Sequence, residues 1–362
     1  MVTLAAVVLS SAVLSQPSGG VPKSVMDKMT VGVNITRWFC YLADAKDTKH
    51  FDSYLLEADI QHLKGIKAKF VRLCVSPEAI YDAGKPNAKN LPYLDKAVKR
   101  LNDNGFLVLL DLHDNGQLNL DKPPYNDTGL ITFWEKMADH YKGKRLSDVV
   151  FEIVNEPVFQ KSPEVWYKLQ EQTVKAIRLR DPKRTIVVTG TSWGGIDTLV
   201  KMKKVDASNL LYSFHCYDPF FFTHQGAEWV GEWPRQLKGV PFPASATSVN
   251  KILAQNDSKF RDSLVDYGKA GYDAAYLKSR IKSCMDWGKA NKVPVFLGEF
   301  GVYPKVAPSA DRAVWFKAMR AACESLGCPH AIWGYDDGLG LGRQIKDGKV
   351  VLDQVALKAM YR

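Results

Sequence analysis

The sequence is poor in the patterns that bind metals, nucleotides and nucleic acids. Its six cysteines form no CxxC pair and no HExxH occurs, so neither a zinc site nor a thioredoxin-like redox site is supported. No GxGxxG follows the first apolar run, which argues against a dinucleotide-binding sheet. P-loop, zinc-finger and RNP patterns are also missing. The apolar stretch from Leu4 to Leu14 is too short to span a bilayer. No basic residue precedes it, since the first lysine is Lys23, yet it resembles the apolar part of a secretory signal. Residues 1–20 are therefore expected to be a signal-like segment, with the protein secreted or periplasmic and without stable membrane insertion. No Ser/Thr/Pro linker or appended module interrupts the rest, so 21–362 is expected to be one catalytic domain.

The charge is lopsided, with 49 Lys and Arg against 39 Asp and Glu. These basic residues are spread along the chain rather than gathered in one stripe. They describe a solvated basic surface and give no reason to expect a nucleic-acid partner. A neutral polysaccharide would be indifferent to this charge. Cys323 and Cys328 could close a small loop around Gly327, and Cys40 and Cys74 follow neighbouring strands and could meet; buried free thiols are equally open.

Apolar runs alternate with amphipathic stretches almost throughout. The runs at 31–35, 69–75, 106–112, 147–154, 184–190, 209–215, 293–299 and 329–334 read as strands. Between and after them, 52–65, 91–105, 129–141, 163–181, 196–204, 273–290, 310–327 and 352–361 read as helices. Several strands are apolar on both faces, as in a covered parallel sheet. Eight alternating repeats predict a closed α/β architecture, the (β/α)8 TIM barrel. Residues 216–272 break the rhythm. They are rich in aromatics, Pro and Gly, and follow the sixth strand at the barrel end that carries active sites.

The polar residues of interest fall at strand ends: Arg72, His113, Asn155 with Glu156, His215 with Tyr217, Glu299 and Trp333. In a barrel those ends converge on one mouth. Glu156 and Glu299, on strands four and seven, then face each other across it. Glycoside hydrolysis needs such a pair, one carboxyl held protonated and one ionised. The ionised one attacks the anomeric carbon or, across a wider gap, activates a water. Arg72 and Tyr217 are suited to keep Glu299 ionised. Asn155 suits a sugar hydroxyl and Trp333 a sugar ring. Glu152, inside its strand, reads as structural, as do Asp111 and Asp114 beside His113. His113 and His215 lack metal-site spacing, so no metal is expected.

Together these residues resemble family five of the glycoside hydrolases, the cellulase family of the retaining (β/α)8 clan. The matching stretches are VRLCV, LLDLHDNG, FEIVNEP, SFHCYDP, FLGEFG and AIWGYDDG, and the resemblance runs from about Thr30 to the C-terminus. It implies Glu156 as acid/base, Glu299 as nucleophile, retention at the anomeric carbon and a cis peptide after Trp333. The first loop, NITRWFCY, departs from the Gly-rich turn of many members, so Trp38 and Phe39 are expected to shape the cleft there. Trp193, Phe221, Trp229 and Trp233 are candidate stacking platforms. The expected activity is that of an endo-β-1,4-glucanase acting without cofactor, as a monomer, on a β-glucan. The same chemistry on mannan, mixed-linkage or β-1,3-glucan or xyloglucan, transglycosylation, and a catalytically dead binding barrel are the alternatives.

Overall fold

The computed structural model describes residues 18–362. The apolar stretch Leu4–Leu14 lies outside the described residues. Eight parallel strands close into a barrel: β1 (Val31–Phe39), β2 (Phe70–Val75), β3 (Leu107–Leu112), β4 (Val149–Glu152), β5 (Ile186–Thr189), β6 (Leu210–His215), β7 (Val295–Glu299) and β8 (His330–Ile332). Each is followed by a helix: α1 (Glu57–Gly65), α2 (Leu91–Asp103), α3 (Asp127–Tyr141), α4 (Pro163–Arg180), α5 (Ile196–Leu199), α6 (Ala274–Asn291), α7 (Ser309–Leu326) and α8 (Gln354–Tyr361). This is the (β/α)8 architecture that the alternating pattern predicts.

The period of two along each strand divides the core. Outward residues such as Val71, Leu73, Val108 and Leu110 pack beneath the helices, while Phe70, Leu107, Leu109, Val150, Val187, Leu211, Phe296 and Ala331 fill the barrel. Phe70 occupies so much of the interior that β1 must carry glycine beside it. A Cβ on Gly32 would lie 2.4 Å from the Phe70 ring. Val21, Val25 and Met29, on and beside a short helix (Lys23–Met26), join the same cluster and plug the end opposite the strand C-termini.

Three local expectations need correction. The helix read over 52–65 is two helices, Thr48–Ser53 and Glu57–Gly65. The break arises because Asp47 caps the first, and buried Asp59 takes the Leu56 N–H at 2.7 Å to start the second. Helix α5 has four residues rather than nine. Strand β1 runs four residues past its expected end, through an irregular register between Ile35 and Phe39.

Residues 216–272 contribute no barrel strand. They hold helices at Phe220–Thr223, Glu232–Gln236, Ala246–Asn250 and Arg261–Ala270, packed around buried Phe222, Leu237, Val240, Phe242 and Leu264. Fully buried Gln225 ties the segment together. Its amide donates to the carbonyls of Phe222 and Val240 and accepts from the Val240 N–H. The six cysteines are buried free thiols; Cys40 and Cys74 share one cluster with Trp333 and Leu339.

Near the start of β5, fully buried Arg184 donates to the carbonyls of Tyr141 and Val149, at 2.8 and 2.9 Å, and to Asp181. It thereby joins α3, β4 and β5. Arg184→Met would strand those acceptors, so urea unfolding at pH 7 is expected to show a loss of about 3–5 kcal/mol. A loss below about 1 kcal/mol would contradict this bracing role.

Candidate active site

The site is assembled on the guanidinium of Arg72. Sequence reading set Arg72 at a strand end, lining the cleft. It sits instead within β2, fully buried inside the barrel, because its place in the pleat points it inward below the rim. It does not line the cleft. All five of its N–H donors are used. Nε and Nη2 grip Glu152 at 2.7 and 2.9 Å, Nη1 reaches Asn34 Oδ1 (2.9 Å) and Glu299 Oε1 (2.8 Å), and Nη2 reaches Asn155 Oδ1 (2.6 Å). Asp111 lies 3.2 Å away. Asn34 is fixed in turn by its own amide, which donates to the carbonyls of Gly298, Ala331 and Ile332.

One cation thus serves three buried carboxylates. Burial pushes Glu152 up to about 7, against the pull of Arg72. Burial acts on Asp111 in the same sense, but Arg72 and His113 outweigh it and Asp111 is held below its ordinary value. Of these two, Glu152 takes up a proton the more readily. Both carboxylates act as structural counter-charges to Arg72.

Above this layer lie the two glutamates of the rim. Glu299 ends β7 and accepts from Arg72 on Oε1 and from the Tyr217 hydroxyl on Oε2 (2.9 Å). Burial raises its proton affinity, while His215 and Arg72 oppose the rise. Glu156 is half-buried in the segment after β4, and its Oε1 lies 2.8 Å from Nδ1 of His215. Burial pushes Glu156 up to about 7. His215 is pushed down to about 4, also by burial, and so is neutral near pH 7. Two donors therefore favour the anion at Glu299, while Glu156 has one neutral imidazole and holds its proton up to neutrality. One oxygen of each glutamate and a His215 ring nitrogen lie within 4.8 Å of one another. Gly298 permits this closeness, since a Cβ there would meet Ser213 Oγ at 2.5 Å and His215 Nε2 at 3.1 Å.

The rim residues frame a cavity of about 860 Å³. Asn155, Glu156, His113, His215, Tyr217, Glu299 and Trp333 all line it, as do the exposed rings of Trp193 and Trp229. His113 is bonded through Nδ1 to Asp111 (2.9 Å) and stacks on Trp333 at 5.3 Å. The peptide after Trp333 is cis. Trp38 is not part of the cleft. It is 3% exposed, donates its indole N–H to the Phe51 carbonyl and packs on Tyr54. The misplacement follows from the length of β1: Trp38 and Phe39 belong to the strand and its packed outer face, not to a loop. Phe221 and Trp233 pack on each other within the 216–272 wall.

Sequence reading missed Tyr41, Asn115, Phe220, His224, Asp197 and Arg280, which also line the cavity. Tyr41 follows β1 by two residues, so the correct end of that strand would have exposed it; Asn115 lies two residues past His113, beyond a strand end that was read correctly. Arg280 could not have been found this way. It lies on α6 and reaches Asp218 (2.6 Å) in the segment after β6 and Asp197 (2.8 Å) in α5. For a cation, Glu156, His215 and Glu299 are close enough to ligate, but both Glu299 oxygens already hold Arg72 and Tyr217. Cys74, Asp111 and His113 form a second such group, with Arg72 against Asp111.

The proton affinity of Glu156 has a stability consequence. Its folded pKa of about 7 lies above its ordinary 4.5, so the native state binds that proton more tightly than the unfolded chain. The associated stability is complete below 4.5 and is lost as pH rises through 7. Glu156→Gln cannot ionise. Its Tm is expected to exceed that of the unaltered protein at pH 8, with the gap closing towards pH 4.5; a constant gap would contradict the assignment.

Comparison with known proteins agrees with this arrangement. Residues 39–338 match the profile of the Cellulase family, glycosyl hydrolase family 5. Endoglucanase 3 of Fibrobacter succinogenes is 27% identical over 91% of this chain, which spans about half (52%) of that protein. Endoglucanase C of Acetivibrio thermocellus is 26% identical over 86% of this chain and 92% of its own. A solved endoglucanase structure superposes with a TM-score of 0.73 at 25% identity, covering 94% of this chain and all of the other. With the family match extending from the end of β1 past Trp333, and so across every rim residue named above, the chain belongs to glycosyl hydrolase family 5.

Proposed function

We propose that the chain is a retaining endo-β-1,4-glucanase in which Glu299 is the nucleophile and Glu156 the acid/base. The observation that carries the mechanism is the short approach of the two carboxylates, within 4.8 Å at their nearest oxygens. Double displacement uses separations of about 5–5.5 Å, whereas inversion needs about 6.5–9.5 Å to admit a water. The endoglucanase names of both relatives support the substrate class. The wide cleft, with Trp193 and Trp229 as outlying exposed platforms, suits a chain bound along its length. Export belongs to the same reading, supported by the signal-like stretch Leu4–Leu14 and by a polymeric substrate.

In the first step Glu299 attacks the anomeric carbon while Glu156 gives its proton to the departing glycosidic oxygen. The covalent glycosyl-enzyme is then opened by a water whose proton returns to Glu156. Arg72 and Tyr217 keep the attacking oxygens ionised and aimed, and neutral His215 lets Glu156 hold its proton until transfer.

Glu156→Ala is expected to lose about 10²–10⁴-fold in kcat/KM on glucan, yet far less in kcat/KM on a dinitrophenyl cellobioside, whose leaving group needs no proton in the first step. A 2-deoxy-2-fluoro cellobioside should label Glu299, read by peptide mass, and the first-formed sugar should be the β-anomer. An α-anomer, or a label elsewhere, would refute the mechanism. In the unaltered enzyme kcat/KM should fall about tenfold per pH unit above about 7, as Glu156 ionises.

A further inference from the structure

Tyr41 and Asn115 take no part in the mechanism above, yet they are built into the cleft with unusual care. They belong to different loops, after β1 and β3, and both line the cavity beside His113. Both hold left-handed backbone conformations, at φ 50° and 49°, uncommon outside glycine. The Tyr41 ring is exposed, with the Arg37 guanidinium 5.9 Å from its centre and His113 edge-on at 5.5 Å. Its hydroxyl meets His113 Nε2 at 3.0 Å and Asn115 Oδ1 at 3.5 Å. The Asn115 amide is oriented by its nitrogen, which donates to Cys40 Sγ at 3.8 Å and leaves Oδ1 beside the phenol.

The hydrogen-bond count then leaves capacity over. A phenol oxygen has one hydrogen and two lone pairs. His113 engages either the hydrogen or one lone pair, so in both protonation states of the imidazole a lone pair remains. Asn115 Oδ1 receives at most the Tyr41 hydrogen and also keeps one. Two acceptors therefore stand side by side on the cleft wall.

We propose that Tyr41 and Asn115 form a sugar subsite that accepts hydrogen bonds from a vicinal diol of the bound glycan, and so select for rings whose 2- and 3-hydroxyls are both free. This rests on the reading of the cleft as glycan-cleaving. Neighbouring ring hydroxyls lie about one hydrogen-bond length apart, matching two acceptors at this spacing. A β-1,4-linked chain offers the diol on every internal ring. A β-1,3-linked chain has spent its 3-hydroxyl on the linkage and would leave one acceptor without a donor.

The test uses non-hydrolysable thio-linked cellotetraoside and its monodeoxy analogues as inhibitors of glucan hydrolysis. Tyr41→Phe keeps the ring and removes the hydroxyl; Asn115→Gly keeps the left-handed backbone and removes the amide. Each is expected to raise Ki for the parent compound about 3–10-fold. One 2- or 3-deoxy analogue should bind the unaltered enzyme weakly and carry no added penalty in Tyr41→Phe, a coupling that mere support of His113 would not give. If the unaltered enzyme hydrolyses glucan but Ki in both variants stays within twofold, or no analogue shows the coupling, the subsite is overturned alone. If the unaltered enzyme does not hydrolyse glucan, the parent reading falls and this one with it.

Discussion

A single guanidinium organises the catalytic end of this barrel. Arg72 has no exposure to solvent and no donor to spare, so every acceptor around it is held in one place. An isolated buried cation would be prohibitively costly; here three carboxylates and two amides replace its hydration. The arrangement also runs the other way. Glu152 and Asp111 are buried acids that could not remain in a barrel interior without the cation between them. The polar layer and the apolar layer beneath it are thus two different solutions to filling one cylinder, and the boundary between them sets the floor of the cleft.

That floor makes two chemically identical side chains unlike. Glu299 meets the guanidinium and a phenol, both donors to an anion, whereas Glu156 meets an imidazole that burial keeps neutral. Their difference in environment is the whole basis for assigning them different duties in the proposed mechanism. Neither glutamate carries its role within its own strand; each takes it from residues brought over from other strands of the barrel.

The barrel itself was legible because both of its periods are written plainly: apolar runs for strands covered on two faces, and amphipathic spacing for the helices. The rim was legible for a related reason, since parallel closure sends every strand end to the same mouth. Arg72 was misplaced because it stands three residues short of the end of β2, where an inward-pointing side chain meets the barrel interior and not the rim. Trp38 was misplaced because an irregular register carried β1 further than its apolar pattern suggested. Arg280 left no trace at all: on a helix it looks like any solvated arginine, and only tertiary structure brings Asp197 and Asp218 to it.

The short helix Lys23–Met26 gives the barrel a stopper. Among the described residues, Val21, Val25 and Met29 pack with Phe70, Leu107 and the other inward apolar residues and close the lower opening beneath the glutamates. In the proposed mechanism, incoming water then shares the mouth with the sugar and reaches the anomeric carbon after the departing fragment has vacated its berth. On that reading the fold, closed below, makes the mouth an exchange point, and whatever next enters it, water or another sugar, inherits the glycosyl group.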